Sequence, residues 1–222
     1  MTTEEKATGF ARPEYVDGVR KPLLDLVPMN VKRVLDVGCN KGAFGAALKA
    51  RQACEVWGVE PDATSAQAAQ GRLDRVIVDF FDPRIDLPDR HFDLITFNDS
   101  LEHMADPAAA LQLALRKLSP GGRIHCCVPN MRHVECVEHL LFQRDWAYEE
   151  FGIRDRTHLR FFTQKSIVAL FHQQGFRVHE AVLVNEEWWE PGKPMRRLVF
   201  RVMPGFTHDM RYKQIVVIAG AD

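Results

Sequence analysis

The alternation of apolar runs with helical stretches limits the folds open to this chain more than any other feature. Five β-rich runs are nearly continuous in apolar residues: 33–38, 54–60, 75–80, 92–98 and 123–128. Such runs are typical of parallel strands covered on both faces. Helical stretches lie between most of them, so the order predicts an α/β fold with a mostly parallel sheet and helices on both faces.

Capping residues mark the starts of several predicted helices. Asp62 is placed to cap a helix over 62–70, and Pro107 follows Asp106 at the first turn of another. Thr163 begins a third helix, which Gly175 ends. Two further apolar runs, 176–184 and 214–219, have no crossover helix between them, which indicates an antiparallel pair and about seven strands in all.

Composition narrows the function classes. The 222 residues suit a single domain over 1–222, and the net charge of −1 opposes a nucleic-acid-binding protein. The chain has no apolar run near the ~18 residues of a membrane span. Its five cysteines are odd in number and form no C-x-x-C pair, so we expect reduced thiols and a cytoplasmic location.

A glycine turn follows the first predicted strand. In VLDVGCNKG, Gly38 and Gly42 lack a Cβ, so a ligand can approach the backbone at the carboxyl end of the strand. Asn40 stands where a dinucleotide fingerprint has its middle glycine, which disfavours pyrophosphate. The alternative ligand is S-adenosylmethionine, with Asp36 as the carboxylate for its ammonium. A turn that only connects strand and helix remains open.

Two acidic residues follow the next strands. Glu60 lies 22 residues beyond Gly38, the spacing at which a carboxylate accepts both hydroxyls of a nucleoside ribose. Asp79 ends the third run and is a candidate acceptor for the adenine amine, with Phe80 as an apolar wall. A turn aspartate before Asp82 and Pro83 explains Asp79 equally well.

These residues carry a family resemblance. VLDVGCNKG, GVEPD, VDFFD, FDLITFNDSLEHMADP and LSPGGRIHCCVPN resemble the class I S-adenosylmethionine-dependent methyltransferases, especially the branch of the ubiquinone-biosynthesis O-methyltransferases. NDSLEH, VPN and DRTHLRFFT are also similar to bacterial methyltransferases of cell-surface polysaccharide pathways. The resemblance covers roughly 13–184, and Asn40 departs from its pattern.

The resemblance implies a Rossmann-like sheet with strand order 3-2-1-4-5-7-6, the last strand in the chain being antiparallel. It implies S-adenosylmethionine as cofactor and an N-terminal segment, 1–30, that covers it and includes Tyr15 and Arg20. The expected cofactor contacts besides Tyr15 are Asp36, Gly38, Cys39, Gly42, Glu60, Pro61, Asp79, Phe80, Asn98, Ser100 and Leu101.

Methyl transfer to a hydroxyl needs a base, and histidine suits this role because its unperturbed pKa lies near 6.5. His103 and His158 are the two candidates, each with a structural alternative. Arg156 and Arg160 are candidate contacts for an anionic acceptor. We predict no catalytic metal, because the nine histidines show no ligand spacing.

The acceptor is expected to be a small molecule, with a saccharide or a lipid-linked intermediate among the candidates. Two irregular insertions, 143–162 and 185–213, are expected at the substrate side or at an interface, and a homodimer is left open. A binding-only relative and a nicotinamide-dependent oxidoreductase are the alternative functions. A nucleic-acid methyltransferase is disfavoured, because Asn98-Asp99-Ser100-Leu101 replaces the stretch that holds a flipped base.

Overall fold

The computed structural model describes residues 21–188 and 193–221. Its sheet has seven strands in the order β3-β2-β1-β4-β5-β7-β6. The five strands from β1 to β5 pair in parallel, and β7 pairs antiparallel with both β5 and β6. The predicted strand order and the reversed last strand are therefore confirmed.

Six strands lie within three residues of the predicted runs at either end, whereas β5 begins five residues earlier than predicted, at Leu118. The strands are β1 Arg33–Val37, β2 Glu55–Val59, β3 Arg75–Ile77, β4 Phe92–Asn98, β5 Leu118–Pro129, β6 Phe176–Glu186 and β7 Tyr212–Ala221. The helices are α1 Lys21–Asp25, α2 Ala43–Arg51, α3 Ala63–Gln70, α4 Pro107–Lys117, α5 Val134–Glu138, α6 Gln164–Gln173, α7 Pro194–Val202 and α8 Pro204–Thr207.

The predicted helix starts follow from side-chain caps. The Asp62 carboxylate accepts a hydrogen bond from the backbone N–H of Ser65 at 2.8 Å, and Asp106 accepts one from Ala109 at 3.0 Å. Thr163 forms a reciprocal capping box at the start of α6. Each cap satisfies an N–H group that the first helical turn leaves without a partner.

Core residues alternate between the two faces of the sheet, as the pleat requires. Leu35 and Ile95 belong to the larger core, which also contains residues of α4 and α6. Their chain neighbours Val34 and Leu94 belong to a second core on the other face. Both faces of the sheet are thus covered by packed side chains. The loops after β1, β2 and β4 meet at its carboxyl-terminal edge.

The segment 185–213 differs from its predicted irregular character. In its described part, β6 continues to Glu186, and α7, α8 and a 3-10 turn at Asp209–Arg211 follow. Prolines at the first turns of α7 and α8 break the sequence into short helices, which hid the helical period of this segment.

No helix within residues 21–188 and 193–221 has the length and apolar character needed to cross a membrane.

We predict that Gly58→Ala destabilises the fold. A Cβ at Gly58 would lie 2.5 Å from the Cys39 sulfur and 2.8 Å from Leu73 Cδ1. The expected loss is about 1–3 kcal/mol in free energy of unfolding, measured by urea denaturation. Gly71→Ala is the matched control, because the nearest atom to its Cβ is 3.7 Å away. Equal stability of the two variants would contradict this packing.

Candidate active site

A cavity of about 770 Å³ opens at the carboxyl-terminal edge of the sheet. It lies where the loops after β1, β2 and β4 meet, the position at which open α/β sheets bind ligands. Its lining includes Gly38, Asn40, Glu60, Pro61, Ser65, Phe80, Phe81, Asp82, Asp99, Ser100, His103, Met104, Asp106, Thr157 and Leu159.

The glycine turn after β1 forms the floor of this cavity. Gly38 has a φ of +74°, and a Cβ there would lie only 2.6 Å from the Ser100 Cβ. Ser100 is fixed in turn, because its hydroxyl donates to the Val37 carbonyl at 2.7 Å. Asn40 has a φ of +48°, a conformation that asparagine tolerates better than most residues. The departure from the family pattern at this position therefore leaves the turn intact.

Glu60 joins the glycine turn to the start of α3. Its Oε2 accepts from the Asn40 N–H at 2.8 Å, and its Oε1 accepts from the Asp62 N–H at 3.0 Å. Burial raises the pKa of this carboxyl, while the two backbone donors oppose the shift. The side chain is buried yet lines the cavity, so its carboxylate is held in one orientation for a ligand.

Asp36 lies within the strand layer. Its Oδ1 accepts from the Thr96 hydroxyl at 2.7 Å, on the neighbouring strand β4. Burial raises the pKa of Asp36 to about 6, the Thr96 hydrogen bond lowers it, and the nearby Glu60 carboxylate raises it again. Asp36 is not part of the cavity lining.

The wall after β3 is aromatic. Phe80 is about half exposed and lines the cavity together with Phe81, whose ring packs edge-on against Phe97. The Asp79 carboxylate is exposed and accepts from the Phe80 N–H at 2.7 Å. This contact lies within its own loop and Asp79 is outside the cavity lining, so its contact with the adenine amine stays a prediction.

Two histidines meet on the opposite wall, with ring centroids 4.8 Å apart. His103 Nδ1 lies 3.1 Å from both the carbonyl and the hydroxyl oxygen of Thr157. Because that hydroxyl donates to Asp155, both oxygens act as acceptors, so a neutral His103 ring carries its proton on Nδ1. His158 Nδ1 is held in the same way by the Ile153 carbonyl at 3.0 Å. His103 lines the cavity, whereas His158 is buried behind it.

Hydrogen bonds hold residues 155–160 against this wall. The Glu102 carbonyl accepts from the N–H groups of Leu159 and Arg160 at 2.9 and 3.0 Å. Asp155 is fully buried, and its Oδ1 accepts from the N–H and the hydroxyl of Thr157, each at 2.8 Å. These bonds fix the Thr157 carbonyl beneath His103.

Three side chains at this wall could together bind a metal ion, although the sequence predicts no catalytic metal. Glu102, His103 and His158 each offer one ligand atom, and these atoms lie within 4.8 Å of one another. Glutamate and imidazole are both ligands of divalent transition metals. The absence of a catalytic metal therefore stays a prediction.

Neither predicted arginine lines this cavity or the second one described below. Arg156 pairs with Glu150, and the two side chains are 60% and 64% exposed. The Arg160 guanidinium donates to the Ala105 and Leu159 carbonyls. Arg156 thus pairs within its own loop, whereas Arg160 also contacts the loop after β4 through Ala105.

The structure places the other predicted cofactor contacts in two groups. Gly38, Glu60, Pro61, Phe80 and Ser100 line the cavity. The remainder lie outside the lining: Asp36, Cys39, Gly42, Asp79, Asn98 and Leu101. Tyr15 and Arg20 fall outside the described residues.

Packing into the two cores explains why two of these residues lie outside the cavity lining. Cys39 packs into the second core, where burial raises the pKa of its thiol, and Leu101 is fully buried in the larger core. Sequence order alone did not show which side of each turn faces the cavity.

A second cavity, of about 460 Å³, lies along the same edge near β6 and β7. Asp99 lines both cavities and has a φ of +50°. The Gln214 amide donates to Asp99, and the Asn185 amide donates to Gln214. These three residues were not apparent from the sequence. Their proximity depends on the positive φ values of Asp99 and Asn185 and on the pairing of β6 with β7, which carries Gln214.

The glycine turn, the buried glutamate and the aromatic wall match the family resemblance, and comparison with known proteins agrees. The profile of a family described as a methyltransferase domain matches residues 11–181. The chain belongs to this methyltransferase domain family. Membership implies S-adenosylmethionine as the cofactor.

A curated relative and two solved structures illustrate the similarity. The Alkalilimnicola ehrlichii ubiquinone biosynthesis O-methyltransferase is 30% identical over 125 residues, which are 48% of this chain and 50% of that protein. A SAM-dependent methyltransferase from Archaeoglobus fulgidus superposes with a TM-score of 0.64 at 19% identity, over 86% of each chain. The [4+2]-cyclase SpnF superposes at 0.61 and 18% identity, over 90% of this chain and 79% of that one.

These likenesses differ in what they show. The chain spans about half the length of the curated relatives it matches. The structural likenesses establish the fold alone, since the same architecture also serves a cyclase.

The cavity suits this cofactor on its own geometry. Asn40 Oδ1 is buried with no hydrogen-bond partner among the described residues, so it is an open acceptor at the glycine turn. Glu60 offers a carboxylate to ribose hydroxyls, and Phe80 with Phe81 offers an apolar face to adenine. A dinucleotide site has a glycine in the middle of this turn, where the pyrophosphate binds. Asn40 occupies that position here, which disfavours pyrophosphate.

We predict that Glu60→Gln weakens S-adenosylmethionine binding by about tenfold or more, because hydrogen bonds to a charged acceptor contribute roughly 1.5–3 kcal/mol each. Isothermal titration calorimetry measures the dissociation constant. Glu180→Gln is the control, since Glu180 is exposed on β6. Unchanged affinity in Glu60→Gln would show that the ribose is bound elsewhere.

We predict that Asp36→Asn stabilises the ligand-free protein at pH 7.5 by up to about 3 kcal/mol, the cost of ionising a buried group whose pKa is raised from 3.8 to about 6. Because the folded-state pKa is the higher one, the free energy of unfolding falls as the pH rises from about 4 to about 6. The asparagine variant should lose this slope in urea denaturation, and the exposed control Asp86→Asn should keep it. A variant less stable than the wild type at pH 7.5 would contradict the prediction.

Proposed function

We propose that this chain is an S-adenosylmethionine-dependent O-methyltransferase acting on a hydroxyl of a small polar acceptor, such as a saccharide. One observation carries the proposal: a single cavity has the glycine turn and Glu60 on one wall and His103 on the other. When bound, the cofactor supplies a methyl group already activated on a sulfonium. The protein has only to position the acceptor oxygen and remove its proton.

The cavity holds three parts of the cofactor in this proposal: its methionine end, its ribose and its adenine. Gly38 lets the methionine end approach the backbone, and the Asn40 amide oxygen accepts from its ammonium. The Glu60 carboxylate accepts from the ribose hydroxyls, while the two backbone N–H donors hold it in one orientation. The apolar faces of Phe80 and Phe81 exclude water from the adenine.

His103 is the proposed base. The Thr157 carbonyl fixes the Nδ1 proton, which makes Nε2 the atom that accepts the proton of the acceptor hydroxyl. The buried Asp155 carboxylate holds Thr157, and the His158 ring packs against His103 edge-on. His158 is thus assigned a positioning role, because it lies outside both cavity linings.

The second cavity is the proposed acceptor site. Its lining is rich in hydrogen-bonding groups: the carboxylates of Asp99, Glu186 and Glu187, the ammonium of Lys213 and the amides of Asn185 and Gln214. Such a set suits an acceptor with several hydroxyls. Asp99 lines both this cavity and the cofactor cavity, so an acceptor hydroxyl that binds Asp99 would lie at the boundary with the cavity that His103 lines.

We predict that His103→Asn lowers kcat by about 10²–10⁴-fold and changes cofactor affinity by less than about threefold, because a base acts on the proton transfer alone. Acceptors are first identified by incubating saccharides and other polyols with enzyme and cofactor and measuring the gain of one methyl by mass spectrometry. Turnover and calorimetry on the variant then separate catalysis from binding.

His179→Asn is the matched control, since His179 is exposed on β6. Normal turnover in His103→Asn would exclude the proposed base. Cofactor binding without turnover on any hydroxylated acceptor would favour the binding-only alternative.

A further inference from the structure

Helix α7, Pro194–Val202, carries an apolar stripe that faces solvent. Met195, Leu198, Val199 and Val202 recur at helical spacing on one face, and they are 68%, 55%, 37% and 68% exposed. In a surface helix of a globular protein, such a stripe normally faces the core. Met203 and Phe206, just beyond the helix, are also about half exposed.

A different face of α7 packs on the protein. Phe200 is buried with Val134 of α5 and stacks on Trp188 with ring centroids 4.7 Å apart. The Arg196 Nε donates to Glu138 Oε1 at 2.8 Å, and its side chain is only 7% exposed. At about 100° per residue, Arg196 and Phe200 share a face that the Met195–Leu198–Val202 stripe does not. The stripe is therefore exposed while the helix is already docked.

The turn that follows Glu138 in the chain also exposes apolar side chains. The π-helical turn His139–Gln143 begins one residue after Glu138 and contains Leu140, Leu141 and Phe142, which are 44%, 66% and 78% exposed. We call α7 and its extension to Phe206 the α7 surface; the turn adjoins it through Glu138, which contacts Arg196 on the docked face of α7. Exposed apolar surface of this extent marks a protein or membrane contact.

The charge of the α7 surface selects among its partners. Residues 193–206 contain four basic residues, Lys193, Arg196, Arg197 and Arg201, and no acidic one. Glu138 of α5 pairs with Lys193 and Arg196, so a net formal charge of +3 remains. Arg197 and Arg201 are exposed. At about 100° per residue, Arg201 flanks the stripe on the side of Leu198, and Arg197 lies on the polar face behind it. A two-fold contact between copies through this stripe would bring like charges together, because the same patch serves both subunits.

We propose that the α7 surface binds the interface of an anionic phospholipid membrane. An amphipathic helix with arginines beside an apolar stripe lies in the headgroup plane, with its apolar face in the acyl boundary. Long arginine side chains reach back to the phosphates while their methylenes stay in the apolar layer. The proposal concerns membrane attachment and is independent of the proposed methyl transfer.

The test is co-sedimentation of the full chain with phosphatidylcholine vesicles and with vesicles of equal parts phosphatidylcholine and phosphatidylglycerol. We expect binding to the anionic vesicles only, and its loss in high salt. Arg197→Gln/Arg201→Gln should weaken binding about 30-fold, from about 1 kcal/mol per basic residue near the surface. Leu198→Gln/Val202→Gln should weaken it at least about tenfold.

Lys165→Gln/Arg177→Gln is the matched charge control and Met29→Gln the apolar control, since these residues are exposed away from α7. Circular dichroism verifies that each variant is folded. Absent binding, equal binding to neutral vesicles, or equal losses in variants and controls would overturn the proposal. So would a wild-type dimer, measured by light scattering, that Leu198→Gln/Val202→Gln converts to a monomer without any vesicle binding.

Discussion

The Glu60 carboxylate is the interaction on which the arrangement of the site depends. It accepts backbone hydrogen bonds from Asn40 in the glycine turn and from Asp62 at the start of α3. Two loops that follow neighbouring parallel strands are thereby tied at one buried side chain. Because a buried carboxylate without donors is costly, these N–H groups oppose the rise in the Glu60 pKa that burial causes, and they leave its remaining lone pairs for a ligand.

A second set of contacts builds the opposite wall. The Glu102 carbonyl binds the backbone at Leu159 and Arg160, and Asp155 orders Thr157. His103 is oriented by Thr157, a residue 54 positions later in the chain. The wall at Glu60 is thus local to the first strands, whereas the His103 wall of the same cavity is assembled from segments far apart in the chain.

Most of the fold could be predicted from the sequence. Continuous apolar runs alternating with capped helices are enough to specify parallel strands, and the missing crossover before the last strand predicts its reversal. The helices α7 and α8 were missed, because their prolines and short lengths obscure the period of 3.6 residues. For the site, Gly38 and Glu60 were within reach because their spacing reflects adjacent parallel strands.

What the sequence determined by itself is the sheet, its edge and the residue types that follow each strand. Tertiary structure alone decided which of those side chains face the cavities: it buried Asp36 against Thr96 and placed Asp99 between the two cavities. The physical reason is the separation along the chain of the residues that determine each feature. Strand periodicity and caps depend on neighbours along the chain, whereas the His103–Thr157 contact, the Gln214–Asp99 bond and the outward stripe of α7 depend on segments that meet only after folding.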